Sequence, residues 1–186
     1  DQQALQPREP PTRRVLEDSR RRVHSMALAH EKLDRSRDLS RIDFAEYVEG
    51  LVSSLLQAHA VDGNRLQLQV EVQSRELPLA LAVPCGLMVN ELVSNALQHA
   101  FTNRERGTVR VEMSAGDGHY RLLVSDDGVG LPPDTDPVQS ESFGLQLVSM
   151  LVDQLHGTMT VDSHEGTSVC IQFEAEGDLA QEGSGA

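Results

Sequence analysis

Hydrophobic residues recur along the chain with two periods, and the switches between them mark out its elements. Between Thr12 and Leu33, Leu16, Val23 and His30 stand seven apart, as do Ser19, Met26 and Leu33. Interleaved, these are a and d positions of a heptad. They predict a helix of a coiled coil or helical bundle, or an amphipathic helix laid on a neighbouring domain. Either needs a partner, because polar groups such as Arg20, Arg21 and Arg22 cover only one side. Before it, Pro7, Pro10 and Pro11 predict a helix end and a turn. After it, the charged run Asp34 to Arg41 predicts a linker. Asp43 and Glu46 then have the form of a capping box. Phe44, Tyr47, Val48, Leu51, Val52 and Leu55 repeat at helical spacing to about His59.

The period drops to two after an Asp62-Gly63-Asn64 turn, where Leu66, Leu68, Val70 and Val72 alternate with polar residues as in a half-buried strand. Leu79 to Val83 predicts a short strand or an approach to a helix opening at Pro84. On that helix Glu91, Ser94, Asn95, Gln98 and His99 fall on one stripe, with Val89, Leu92, Val93, Ala96, Leu97 and Ala100 on the opposite arc. Asn103 to Gly107 turns the chain into two strands, Val109/Val111/Met113 and Tyr120/Leu122/Val124, joined as a hairpin through Gly116-Asp117-Gly118. Asp126-Asp127-Gly128-Val129-Gly130 and a Pro/Asp-rich loop lead to a helix from Phe143 to His156, closed by Gly157. Met159/Val161 and Val169/Ile171/Phe173 are the last strands, and the acidic, Gly-rich tail predicts disorder. The fold class is α+β, with helices layered on one face of a mixed, mainly antiparallel sheet.

Composition narrows what such a domain does. Net charge is −13 and aromatic content is 3% with no Trp, which argues against nucleic-acid or anionic-membrane binding. A phosphate held locally by backbone N–H groups and Mg²⁺ is compatible with that charge. Cys85 and Cys170 make neither a disulfide framework nor a zinc pattern, so a reducing, cytoplasmic setting is expected. No signal peptide or long apolar run is read, so no direct membrane contact is expected of this chain. It opens on Asp1 instead of Met, which predicts a piece of a longer protein that is itself anchored or soluble.

The polar stripe holds a carboxylate, two amides and an imidazole with no Lys or Arg, a makeup suited to a metal–phosphate ligand as well as to solvent. Asp126 ends a strand, where its carboxylate can accept a hydrogen bond from an exocyclic amine such as adenine N6. Gly128 and Gly130 let the backbone approach a planar ring and turn away. The N–H groups opening the Phe143 helix are available to phosphate. Singly these features are common; their joint order is much less so.

That order resembles the GHKL (Bergerat-fold) ATP-binding domain in its sensor histidine kinase branch. Asn90-Glu91-Leu92-Val93-Ser94-Asn95-Ala96 is similar to the N box, and Asp126-Asp127-Gly128-Val129-Gly130-Leu131-Pro132 to the G1 box. Ser142-Phe143-Gly144-Leu145-Gln146-Leu147-Val148 is similar to the G2 box, and Gly166-Thr167 to the late Gly-Thr strand. The likeness runs from about Asp43 to Phe173. Ser25 to Leu33 and Arg41 to Tyr47 resemble the HisKA_2/HWE-like group in particular. That group's phosphoacceptor motif, a His-rich stretch on a preceding helix, does not occur in this chain.

The resemblance implies a two-layer Bergerat sandwich at 41–175, after a truncated dimerisation and phosphotransfer helical segment at 1–40 and before a disordered acidic tail at 176–186. It implies ATP and Mg²⁺ as cofactors, with Asn95 as the metal ligand and Glu91 as the catalytic carboxylate. Asp126 reads adenine with Gly128 and Gly130 around it, Thr167 assists, and Gln98, His99, Gly144 and Leu145 lie along the phosphates. A Lys is common at the place of Gln98 and a Gly at that of Ser142, and the lid from Leu131 to Glu141 is short. The implied activity is protein-histidine kinase: γ-phosphoryl transfer to a His absent from this chain, then to a response-regulator receiver domain, in a homodimer joined through the helical segment. The piece itself is expected to bind ATP without autophosphorylating. The alternatives are an anti-sigma-factor serine kinase of the same superfamily, or a nucleotide-binding or ATPase module in which Glu91 activates water.

Overall fold

The computed structural model describes residues 41–59, 65–73, 76–102, 104, 106–131 and 143–174. The heptad segment, the Asp62-Gly63-Asn64 turn, Ser142, the tail and all of the lid except Leu131 lie outside the described residues. The first helix, α1 (Phe44–Ala58), starts where its capping signal places it: Asp43 Oδ1 accepts the Glu46 N–H at 3.0 Å. Phe44, Tyr47, Val48, Leu51, Val52 and Leu55 are its buried face, as their spacing predicts.

Just before α1, Arg41–Asp43 forms a short strand, β1, where a linker was expected to end. It pairs antiparallel with β3 (Glu76–Pro78), and the Arg41 guanidinium donates to the Glu76 carbonyl at 3.0 Å. Between them in sequence lies β2 (Leu66–Val72), whose residues alternate half-buried and exposed.

The central helix α2 (Leu79–Asn95) departs from its expected bounds. It opens at Leu79, so Leu79 to Val83 is neither strand nor approach, and Pro84 lies inside it. At the sixth position Pro84 forfeits the hydrogen bond to the Ala80 carbonyl, one turn beyond the N–H groups that a helix start leaves unpaired. From Pro84 to Ser94 every residue is buried, on all sides of the helix. The helix continues as a π-helical turn, Ala96–Ala100. The span Leu79–Ala100 is long and apolar enough to cross a membrane, a run not expected from the sequence, but 72% of its 18-residue apolar window is buried inside the fold as the core helix. Gly86 lets α1 approach: a Cβ there would stand 2.2 Å from the Tyr47 hydroxyl.

The main sheet adds β4 (Gly107–Gly116), β5 (His119–Asp126), β6 (Thr158–Asp162) and β7 (Thr167–Glu174) in the order β2-β4-β5-β7-β6. β2 and β4 are parallel and the other pairs antiparallel. Parallel neighbours need a crossover. The connection from Val72 to Gly107 supplies it and carries α2, which explains why this helix packs against the sheet. Asp117 and Gly118, at φ of 53° and 76°, form the two-residue turn of the β4–β5 hairpin. Val111, Met113, Leu122, Ile171 and Phe173 point into the core, while Arg110, Arg121 and Gln172 face outward. Arg110 there bridges Glu71 at 3.1 Å and Glu112 at 3.0 Å.

The last helix, α3 (Phe143–Gln154), ends earlier than predicted. The left-handed residue that closes it is His156 (φ 52°), with the Gly157 N–H returning to the Val152 carbonyl at 2.9 Å. Gly157 serves close packing instead, since a Cβ would lie 2.6 Å from the Gln172 carbonyl.

Candidate functional site

The polar row on α2 is an interior feature. Asn90, Glu91 and Ser94 are 1%, 7% and 5% exposed, and Asn95 is half-buried. A solvated face, the ordinary reading of such a stripe, does not describe the first two turns. Asn90 Nδ2 donates to Glu91 Oε1 at 3.0 Å. Gln98 (half-buried) and His99 (exposed) lie on the π-helical turn. That wider turn carries them off the 100° stripe on which they were predicted to align with Glu91 and Asn95.

Glu91 and Asn95, one turn apart, both face the start of α3. A Cβ on Gly144 would stand 2.9 Å from Glu91 Oε2 and 3.8 Å from both terminal atoms of the Asn95 amide. The glycine therefore brings the α3 backbone close to a carboxylate and a carboxamide. The free N–H groups of a helix N-terminus favour negative charge, which suits Glu91 and would suit phosphate. Leu145 is half-buried and packs on the core, so its part in this corner is to seat α3.

The second half of the site is the end of β5. Asp126 Oδ1 accepts the Gly128 N–H at 2.9 Å and the Thr167 N–H at 3.2 Å. Asp126 is opposite Thr167 in the β5–β7 register, so the sheet itself sets that approach. Burial pushes the Asp126 carboxyl up from its ordinary value, against the pull of the Gly128 and Thr167 hydrogen bonds. Three glycines allow the chain to fold this tightly. A Cβ on Gly128 would lie 2.5 Å from the Ala100 Cβ and carbonyl oxygen. Gly130 (φ 73°) passes against the Ser163 carbonyl, and Gly166 (φ 90°) against that of Asp126.

The two halves are tied together. The Val129 N–H donates to the Ala100 carbonyl at 2.9 Å, fixing the glycine turn to the end of α2. Arg104 donates to the Asp127 carbonyl, and Asp127 Oδ1 accepts the Thr108 N–H at 2.7 Å. The structural roles of Asp127 and Arg104 carry no mark in the sequence. Nothing in a period or a motif pairs residues so far apart. Asn90 stands within the N-box-like stretch, but its spacing puts it off the polar stripe. Among the described residues no group of three or more His, Cys, Asp or Glu gathers as a ready metal site. Burial pushes the Cys85 thiol far up, so it is no nucleophile at neutral pH.

A one-sided helical layer on a mixed sheet, with a strand-end aspartate in a glycine turn locked to a helix bearing Glu91 and Asn95, is the architecture of the ATPase sandwich class. The chain belongs to the histidine kinase-, DNA gyrase B- and HSP90-like ATPase family, whose model matches residues 81–177, just over half its length. A HisKA_2 histidine kinase model matches residues 1–59. The chain is 29% identical over 160 residues to blue-light-activated histidine kinase 2 of Erythrobacter litoralis, and 30% identical over 164 residues to sensor histidine kinase PdtaS of Mycobacterium tuberculosis. Those stretches are 83% and 86% of this chain but only 45% and 32% of the relatives, so the chain spans less than half the length of either. The solved histidine kinase domain of the Erythrobacter litoralis blue-light activated kinase superposes with a TM-score of 0.76 at 28% identity. That match covers 86% of this chain and 75% of the other.

Proposed function

We propose that this chain is the ATP-binding catalytic part of a sensor histidine kinase, holding Mg·ATP for γ-phosphoryl transfer to a histidine on a helical segment outside it. The observation that carries this reading is the convergence of Glu91, Asn95 and the α3 N-terminus at one corner, tied through Ala100 and Val129 to the Asp126 turn. The donor set fits the group. A hard cation takes oxygen ligands and shares its shell with phosphates, and Asn95 offers a carboxamide oxygen beside a carboxylate. Asp126 offers an acceptor in a turn too tight for any side chain at Gly128. When bound, Mg²⁺ would neutralise phosphate charge.

The chain's own work is then positioning and electrostatics, which dominate phosphoryl transfer. Asp126, with Thr167 beside it, would orient the base; Asn95 would hold the metal; the N–H groups opening α3 would face the phosphates; and Glu91 would polarise the acceptor or order the metal's water. Gln98 and His99 contribute from the π turn. The HisKA_2 match at residues 1–59 supports a dimeric kinase that passes its phosphoryl group to a receiver domain, and gives the anti-sigma kinase alternative no support.

Asn95→Ala is expected to weaken ATP binding about tenfold with Mg²⁺ present, as loss of one charge-assisted contact does. With EDTA in place of Mg²⁺, wild type and variant should bind alike in calorimetric titrations. Equal affinities in Mg²⁺ would remove Asn95 from the metal site.

A further inference from the structure

Asn90 is a costly residue to keep where it is. It is 1% exposed in the middle of the all-round buried stretch of α2, flanked by Val89, Leu92 and Val93, where an apolar side chain would be ordinary. Among the described residues its buried Oδ1 finds no hydrogen-bond partner. An unpaired buried carbonyl lowers stability, so its presence calls for an explanation. What the side chain does provide is the 3.0 Å bond from Nδ2 to Glu91 Oε1.

That bond is unusual in kind. Neighbouring residues on a helix point about 100° apart and do not ordinarily face each other. Glu91 is therefore turned back along α2 to meet Asn90, with one carboxylate oxygen held there. Its Oε2 is left on the side of Gly144, at the α3 N-terminus. A Lys or Arg at residue 90 would have neutralised the carboxylate; a carboxamide fixes its direction and leaves its charge.

We propose that Asn90 is a positioning residue: it holds Glu91 Oε1 so that Oε2 is aimed at the phosphate corner between Asn95 and Gly144. The proposal rests on the reading of Glu91 as the carboxylate that acts there. Asn90 touches neither nucleotide nor metal, and its effect passes entirely through Glu91.

The test is Asn90→Leu, which keeps the side chain's size and removes both the donor and the unpaired acceptor. In denaturant unfolding of the nucleotide-free protein, the variant should be as stable as wild type or more so. MgATP affinity should stay within about twofold, while the rate of ADP formation by the full-length protein at saturating MgATP should fall about 10- to 100-fold, as misplacement of a catalytic group does. In a Glu91→Gln background, Asn90→Leu should lower the rate no further. A full rate in Asn90→Leu, or a loss that adds to that of Glu91→Gln, would overturn the proposal, as would stability, affinity and rate falling together.

Should Asn90→Leu not fold, the Asn90 side-chain amide protons of the wild-type chain decide. They should exchange slowly with solvent and faster in Glu91→Ala, and an unchanged exchange rate in Glu91→Ala overturns it. If Asp126→Asn leaves MgATP binding intact, it is the nucleotide-site reading that fails. If Asp126→Asn abolishes binding and Asn90→Leu keeps full rate, only the role of Asn90 fails.

Discussion

Asp126→Asn should abolish adenine recognition and leave the fold standing. The Asp126 Oδ1 atom accepts two backbone N–H groups, from Gly128 and Thr167, and an asparagine carbonyl oxygen can take over both. Its NH2 group is thereby forced to the place of the second carboxylate oxygen, where a donor would meet the adenine amino donor. Losing one charge-assisted hydrogen bond costs about 1.5–3 kcal/mol, roughly 10- to 150-fold in Kd. Stability should change by no more than about 1 kcal/mol, because both backbone donors stay paired. Calorimetric titration with denaturant unfolding separates the two effects; weakened binding with equally weakened folding would mean Asp126 is structural only.

The same residue predicts a pH dependence. Burial raises the Asp126 carboxyl above its unfolded value. A raised carboxyl binds its proton more tightly folded than unfolded, so its stabilising contribution is present at pH below the ordinary aspartate range. That contribution is lost as pH rises through the folded value. Nucleotide binding should run the other way, since the ionised form is the stronger acceptor for an adenine amine. ATP affinity should therefore fall on acidification at a higher pH than an ordinary aspartate would give. Asp126→Asn should lack that dependence.

Gly166→Ala is expected to have the largest effect on stability. Gly166 sits at φ 90°, and a Cβ there would lie 1.9 Å from the Asp126 carbonyl oxygen and 2.9 Å from the Gly128 N. Both neighbours are backbone and cannot swing aside. A strained φ and forced overpacking each cost about 1–3 kcal/mol, together roughly 2–6 kcal/mol. That is a drop in Tm of about 4–24 °C for a domain of this size. Gly118 is the control: it has φ 76° with nothing within 4 Å of a Cβ, so Gly118→Ala should suffer the φ penalty alone. Similar Tm losses in the two variants would show that the Gly166 contact with Asp126 is not tight.

Much of this architecture was legible because it is periodic or locally signalled. The Asp43 cap, the face of α1, the alternation of β2, β4, β5 and β7, and the Asp117-Gly118 turn follow from local chemistry. The site boxes were legible as a joint pattern, and the structure brings Glu91, Asn95 and Gly144 into one corner. Elsewhere the signal was absent for physical reasons. β1 and β3 have three residues each, too few to show alternation. The start of α2 was hidden because a helix buried on every side has no polar face to mark its first turn, and Pro84 falsely supplied one. The π turn under Gln98 and His99 has no sequence mark at all. The Asn90–Glu91 bond was invisible because helical periodicity places adjacent residues apart.

On the proposed function, the Asp126 turn and the Glu91/Asn95 corner form one adenine-nucleotide site. Parallel calorimetric titrations with MgATP and MgGTP test it most directly. Guanine carries a carbonyl acceptor where adenine carries its amino donor, and the Asp126 carboxylate would repel it. Saturable binding of MgATP is expected, with at least about tenfold weaker binding of MgGTP, a difference that disappears in Asp126→Asn. Equal affinity for the two nucleotides, or a preference unchanged in Asp126→Asn, would contradict it.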